Sequence, residues 1–333
     1  MTRSDPNTEA DLWFMPGPLE DEAMLRAPLP EAGERESAIV AQWAEAEAAA
    51  ARPLAELAGR FGALDDRLRR GPEGWRHRLA LIEASDMAWL SGTRVMPDRL
   101  ALWVALRLSS VQQDMHALQR SAWAFRSLAG GIDPEDGLAG FLGRYENTDT
   151  PALSERLEGW QQLIERAGRL HPLTRAAMGL ALWPDDDGTV LAALEGAVVA
   201  ARLGATGAQG GAVFLPLAMG GGSALRCSGP PDRRLAQWLS GAEAAVLAAM
   251  RVIDRIESWD ARASAEMARL SGRTPGRLRE VLRDWPLVSA PMAETLTGAS
   301  RAAIQRNIAW FEARDLVQEV TGQGRFRFWR ARF

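Results

Sequence analysis

The chain contains no lysine, so all 39 basic residues among its 333 are arginine. A Walker A loop needs a lysine on its β- and γ-phosphates, and a pyridoxal-phosphate enzyme needs one for its Schiff base. Both classes are excluded. A GC-rich genome accounts for the bias, although arginine also grips phosphate and guanine bidentately. Cysteine occurs once, as Cys227, so no intramolecular disulfide can form and a cytoplasmic location is expected. The three histidines, His77, His116 and His171, are far apart and lack an H-x-x-x-H spacing or a cysteine partner. A metal site is therefore not expected, and no motif asks for a cofactor. No uninterrupted apolar run reaches the roughly 18 residues of a membrane span, so no membrane partner is expected. The N-terminus has no basic start followed by an apolar run and does not read as a secretory signal. β-branched residues are sparse while Ala, Leu, Arg and Glu dominate, which predicts a mainly α fold.

What is present is unevenly charged. Residues 271–333 hold 11 Arg against 6 acids, a net of +5, which leaves −9 on the first 270 residues and −4 overall. A basic end on an acidic body points to the end as the part that meets a polyanion. The length suffices for two or three domains. Residues 1–35, rich in Pro, Asp and Glu, read as an extended arm with an apolar cluster at Trp13, Phe14 and Met15. Residues 36–145 form a helical domain punctuated by Pro53, Gly71-Pro72 and Pro97. Residues 146–270 form a second helical domain that contains a Gly-rich stretch at 204–232. That stretch matches neither G-x-G-x-x-G after a strand nor a P-loop. It reads first as a connecting loop, and second as an anion site built from backbone N–H groups. The long amphipathic helix after it, Arg234 to about Met267, carries Leu235, Leu239, Val246, Met250, Ile253 and Ile256 on one side. It suits a core or a homodimer.

From about Arg277 the order is helix, turn, helix, turn, helix, strand, turn, strand. "GRLREVLRDW" stops at Pro286, Ser289 caps "APMAETL", "TGAS" makes the tight turn, and Ser300 caps a third helix ending near Asp315. "LVQEV" and "RFRFW" flank the hairpin turn "TGQG", and Phe326 and Phe328 alternate with Arg325 and Arg327. This is the pattern of a winged helix-turn-helix. Ile304, Ile308, Phe311 and Leu316 would hold the third helix on a small core. Ser300, Arg301, Ala302, Gln305 and Arg306 would face double-stranded DNA, with Arg325 and Arg327 reaching it from the wing. The plainer alternative is a module that only packs or dimerises. No local spacing compels an enzyme: Cys227 is a lone thiol in a Gly-rich loop, and Asp185 and Asp187 read as a solvated turn.

Two resemblances rest on these residues. "RPLAELAGRFGALDDRL", "RLALIEASDMAWLSG", "LHPLTRAAMGLALW" and the stretch from Pro286 to Trp329 resemble an uncharacterised family carried largely on plasmids of rhizobia and related alphaproteobacteria. Its members are a domain of unknown function followed by a helix-turn-helix. The resemblance covers most of residues 40–333 and implies a DNA-associated role, in transcriptional regulation or plasmid maintenance. The body would then serve dimerisation or the sensing of a small-molecule effector. The layout is also similar to Fic-domain proteins, whose motif reads H-P-F-x-[DE]-G-N-G-R. His171 and Pro172 match it, but the acidic residue and the Gly-Asn-Gly loop are missing. A Fic-like body would thus be degenerate, with any residual nucleotidyl (AMP) transfer resting on His171. An oligomeric interaction scaffold without catalysis is the third reading.

Overall fold

In the computed structural model, residues 32–106, 112–143, 151–184, 190–322 and 326–333 are described, and they are mainly helical. Trp13, Phe14, Met15, Asp185, Asp187 and Arg325 lie outside the described residues. The chain divides into two units, 1–39 and 40–333, and the elements that carry the candidate site all lie in the second. The first unit ends in the opening turns of helix α1 (Ala32–Ala49), where the Ser37 hydroxyl donates to the Gly33 carbonyl at 2.7 Å. Helices α2 (Ala51–Arg70), α3 (Glu73–Leu90), α4 (Pro97–Leu106), α5 (Gln112–Ala129), α6 (Leu138–Leu142), α7 (Pro151–Arg166), α8 (Pro172–Ala181) and α9 (Val190–Gly204) follow. The apolar period explains them: in α2, Leu54, Leu57, Phe61, Leu64 and Leu68 recur three or four apart and are all buried. Its last turn holds Arg67, Arg69 and Arg70, which oppose the negative end of the helix dipole.

Helix α9 lies deepest, with residues 194–204 buried without a break. Its Arg202 donates to carbonyls at the C-terminal end of α5, to Ser127 in the last turn at 2.7 Å and to Gly130 just past it at 2.9 Å. Helix α10 (Pro231–Glu266) is 36 residues long, about 54 Å at 1.5 Å per residue. Its buried stripe, from Leu235 through Val246 to Ile256, packs against α2, α8 and a 3-10 turn at Ser223–Arg226. The stripe that suits either a core or a dimer is therefore a core face. A dimer formed through it would have to displace the chain's own helices.

The Gly-rich stretch is a loop, and a buried one: Ala212, Phe214, Leu215, Leu217, Ala218 and Met219 all lie in the interior. A buried loop must find partners for its backbone N–H groups, and two carboxylates provide them. Asp65 of α2 accepts from the N–H of Gln209 at 3.0 Å and of Ala212 at 2.6 Å. Glu83 of α3 accepts from Leu217, Ala218 and Met219 at 2.7, 2.8 and 3.1 Å. Gly211 lies so close to α2 that a Cβ there would meet the Asp65 carbonyl oxygen at 1.9 Å.

The C-terminal part runs α11 (Thr274–Asp284), β1 (Val288–Ser289), α12 (Ala290–Thr297), α13 (Arg301–Glu312), β2 (Val317–Glu319) and β3 (Phe328–Ala331). The three strands form an antiparallel sheet in the order β1-β3-β2, with Val288 opposite Trp329 and Val317 opposite Ala331. Helix α13 stops at Glu312, and Asp315, near which the sequence ends this helix, follows in the left-handed region at φ 58°. Three details differ from the sequence reading. A short strand, β1, precedes α12. Phe326 is 75% exposed at φ 57° and outside any strand. Strand β3 begins only at Phe328, which is buried as the sequence suggests, and Trp329 and Ala331 join the module's core while Phe326 does not. Shifting a strand by one residue exchanges its faces. Here the pairing of Trp329 with Val288 fixes which face turns inward.

A candidate nucleic-acid interface on helix α13

Local chemistry positions this surface. The Ser289 hydroxyl accepts from the Met292 N–H at 3.3 Å, which opens α12, and Gly298 closes that helix at φ 69°. The Ser300 hydroxyl accepts from the Ala303 N–H at 3.4 Å, which opens α13. Both serines act as the N-caps expected from the sequence. Ile304, Ile308 and Phe311 then enter a core with Leu278, Leu282, Val288 and Ala293. Because they occupy one stripe, Ser300, Arg301, Ala302, Gln305, Arg306 and Ala309 are left exposed on the rest of α13. The helix thus brings five of the seven sequence-predicted contact residues onto one open surface.

The arginines of that surface are not equivalent. Arg301 pairs with Glu294 of α12 at 2.8 Å, a carboxylate the sequence reading missed. Arg306 takes part in no ion pair among the described residues, so its guanidinium is unencumbered. Arg327 pairs with Glu312 at 3.5 Å and lies 5.0 Å from the Trp329 ring centroid. Glu312 also accepts from the Trp329 indole at 2.9 Å. Arg327 is thereby held at the end of α13. Glu319 accepts from the Thr321 and Gly322 N–H groups at 2.7 and 3.1 Å, just beyond β2.

His171 lies apart from this surface. It caps α8, its Nδ1 accepting from the Leu173 N–H at 3.2 Å, while its own N–H donates to Glu47 at 2.9 Å. Burial lowers its pKa against the opposing pull of Glu47. The Nδ1 lone pair is engaged by the Leu173 N–H and is not free to act as a general base. Around it is a cavity of about 380 Å³ lined by Phe61, Asp66, Arg69 and Gln209. Five of the loop N–H groups, those of Gln209, Ala212, Leu217, Ala218 and Met219, are taken by Asp65 and Glu83. Their partnership spans the sequence and leaves no local motif to find. Cys227 is half-buried, and burial pushes its thiol up, away from thiolate. Among the described residues, no group of three or more His, Cys, Asp or Glu is placed to hold a metal ion. Among them, too, no helix is long and apolar enough to cross a membrane.

No protein-family model matches the chain, and comparison with curated proteins finds no match.

Proposed function

We propose that residues 274–331 are a winged helix-turn-helix that binds double-stranded DNA, with α13 as the recognition helix. The chain would act in transcriptional regulation or plasmid maintenance. One observation carries the reading: Ser300, Arg301, Ala302, Gln305 and Arg306 are exposed together at the N-terminal half of α13, while Ile304, Ile308 and Phe311 anchor its opposite side. The N-terminal residues of a recognition helix are the ones that meet base edges. Gln pairs with adenine and Arg with guanine in the major groove, and the small Ala302 permits close approach. The helix–strand–helix–helix–strand–strand order and the net charge of +5 over 271–333 support the same reading. AMP transfer has no comparable support, because the His171 Nδ1 is committed to a backbone N–H and the Gly-rich loop to internal carboxylates.

The test is binding of the whole protein to fragmented DNA of its own replicon across a salt series, beside the Gln305→Ala/Arg306→Ala variant. Both side chains are exposed, so the variant should keep its fold. Wild type should enrich a few sites. Each lost base contact should weaken specific binding by about 1–3 kcal/mol, roughly five- to 150-fold. Equal, sequence-blind binding by both proteins would leave the module as a packing or dimerising unit.

A further inference from the structure

Arg78 of α3 is a buried cation without a carboxylate. It is 6% exposed, and among the described residues no acidic oxygen lies within 4.0 Å of it. One terminal nitrogen donates to the carbonyls of Arg283 at 3.3 Å and Trp285 at 2.7 Å. Its Nε is buried with no hydrogen-bond partner. Burial lowers its pKa to about 10, with Asp98 and Asp284 opposing that effect and Arg330 adding to it, so the side chain stays charged at neutral pH. Buried charges are ordinarily paired and fully hydrogen-bonded. The chain itself leaves this one short of an anion.

Arg78 is part of the wall of a cavity of about 230 Å³ where the helical body meets the C-terminal module. Arg255, Arg330 and Arg332 line it as well, Asp98 is the one acidic side chain in its lining, and the Phe333 ring lies 5.2 Å from the Arg78 guanidinium. Asp98 is taken by Arg330, and Arg332 is paired with Asp315. Arg255 has no ion pair among the described residues. The lining is therefore net cationic, with Arg78 and Arg255 holding unused donors. Much of the remaining wall is apolar, including Leu81, Val252 and Leu287. Its volume is below the roughly 300–1,000 Å³ of pockets for drug-sized ligands.

We infer that this cavity binds a small organic monoanion, a carboxylate whose head meets Arg78 and Arg255 and whose short apolar body fills the rest. An inorganic phosphate would satisfy the arginines but waste the apolar wall. Because α3, α4 and α10 meet the 286–287 turn and β3 there, the ligand would touch body and module at once. On the DNA-binding reading, it is an effector that biases how the module is held.

The experiment uses the full chain without DNA, titrated calorimetrically with benzoate and hexanoate, with benzamide and hexanamide as neutral counterparts, and with inorganic phosphate. A carboxylate should bind roughly tenfold or more tightly than its amide, the worth of a hydrogen bond to a charged group. Arg255→Gln, at an exposed position, should lose most of that discrimination, and Arg78→Met all of it. If Arg78→Met proves unfolded by circular dichroism, Arg255→Gln decides. Carboxylates binding no better than amides, equal discrimination in Arg255→Gln, or binding of phosphate alone would each overturn the assignment. A DNA titration with the carboxylate at saturation then separates the two readings. A change in DNA affinity supports the effector role, and an unchanged affinity removes that role. Failure of the unliganded protein to bind DNA overturns the DNA reading while leaving the site in place.

Discussion

Glu83 gathers three backbone N–H groups of a loop more than 130 residues away in sequence, and it does so in the interior. Burial pushes its carboxyl up to about 7, the three hydrogen bonds pull it down, and nearby Asp86 pushes it further up. Asp86 itself is pushed up to about 6 by burial. Both groups therefore hold protons in the folded chain at pH values where the unfolded chain has lost them. By linkage their contribution to stability falls as pH rises from about 4 to about 7. At Asp86 the shift corresponds to at most about 3 kcal/mol, and partial exposure to water reduces that to roughly 1 kcal/mol. Asp86→Asn should accordingly stabilise the fold by roughly 1 kcal/mol at pH 8 and leave it unchanged near pH 4, read from urea midpoints at the two pH values. A gain of equal size at both would show that the carboxylate charge is not its source. Glu83→Ala should behave in the opposite way. It strands three buried donors at roughly 1–3 kcal/mol each, a sum comparable with the whole stability of a typical domain, about 5–15 kcal/mol. Unfolding of the variant, followed by circular dichroism, is the expected result, and a midpoint within experimental error of wild type would contradict it.

Helix α13 shows how far local chemistry reaches. Ser289 and Ser300 are readable as caps from the sequence because capping involves only the next three residues, and the Ile304–Ile308–Phe311 stripe is readable because a helix repeats. Strand β3 was not readable in the same way. Its faces depend on pairing with β1, a strand of two residues that leaves no periodicity of its own. Nor was the Arg301–Glu294 pair, which reaches across the turn from α12 to α13. That pair makes a prediction about the proposed interface. Glu294 sets a negative charge beside the residue expected to meet phosphate or guanine. An exposed pair of this kind contributes only about 0–1 kcal/mol to the fold, so Glu294→Gln should leave the melting temperature nearly unchanged. The substitution should tighten DNA binding by roughly two- to fivefold at low salt, the equivalent of removing that competition, with the gain fading as salt is added. Weaker binding in the variant would instead make Glu294 a positioning residue that aims Arg301. Asp315 allows a second test on the same helix. It follows α13 at φ 58°, where an L side chain costs roughly 1–2 kcal/mol that glycine does not. Its ion pair with Arg332 is exposed. Asp315→Gly should raise the unfolding free energy by up to about 1 kcal/mol, and a loss would mean that the Arg332 contact outweighs the backbone strain.

Across the whole molecule the mainly helical class and the long α10 follow from composition and period, whereas the buried loop and its carboxylates depend on contacts that no local pattern records. The junction at residue 271 shows the consequence. Charge changes there, and the sequence reads as a module attached to a body, yet α10 runs into the module's core. Trp259 and Ala263 are buried among Leu278, Ile308 and Phe311, and the Trp259 indole donates to the Leu316 carbonyl at 2.7 Å. Removing a buried Trp side chain costs about 3–5 kcal/mol, and a core this small rarely supplies more than about that amount. A fragment of residues 271–333, cut behind Trp259, should therefore show no cooperative thermal transition. A fragment of residues 250–333, which retains the end of α10, should unfold cooperatively. Cooperative unfolding of the shorter piece would make the module self-sufficient and α10 merely its tether. If the longer piece alone folds, the proposed DNA-binding unit and the helical body share a rigid helix, and an anion bound beside Arg78 acts on a junction already stiff enough to transmit it.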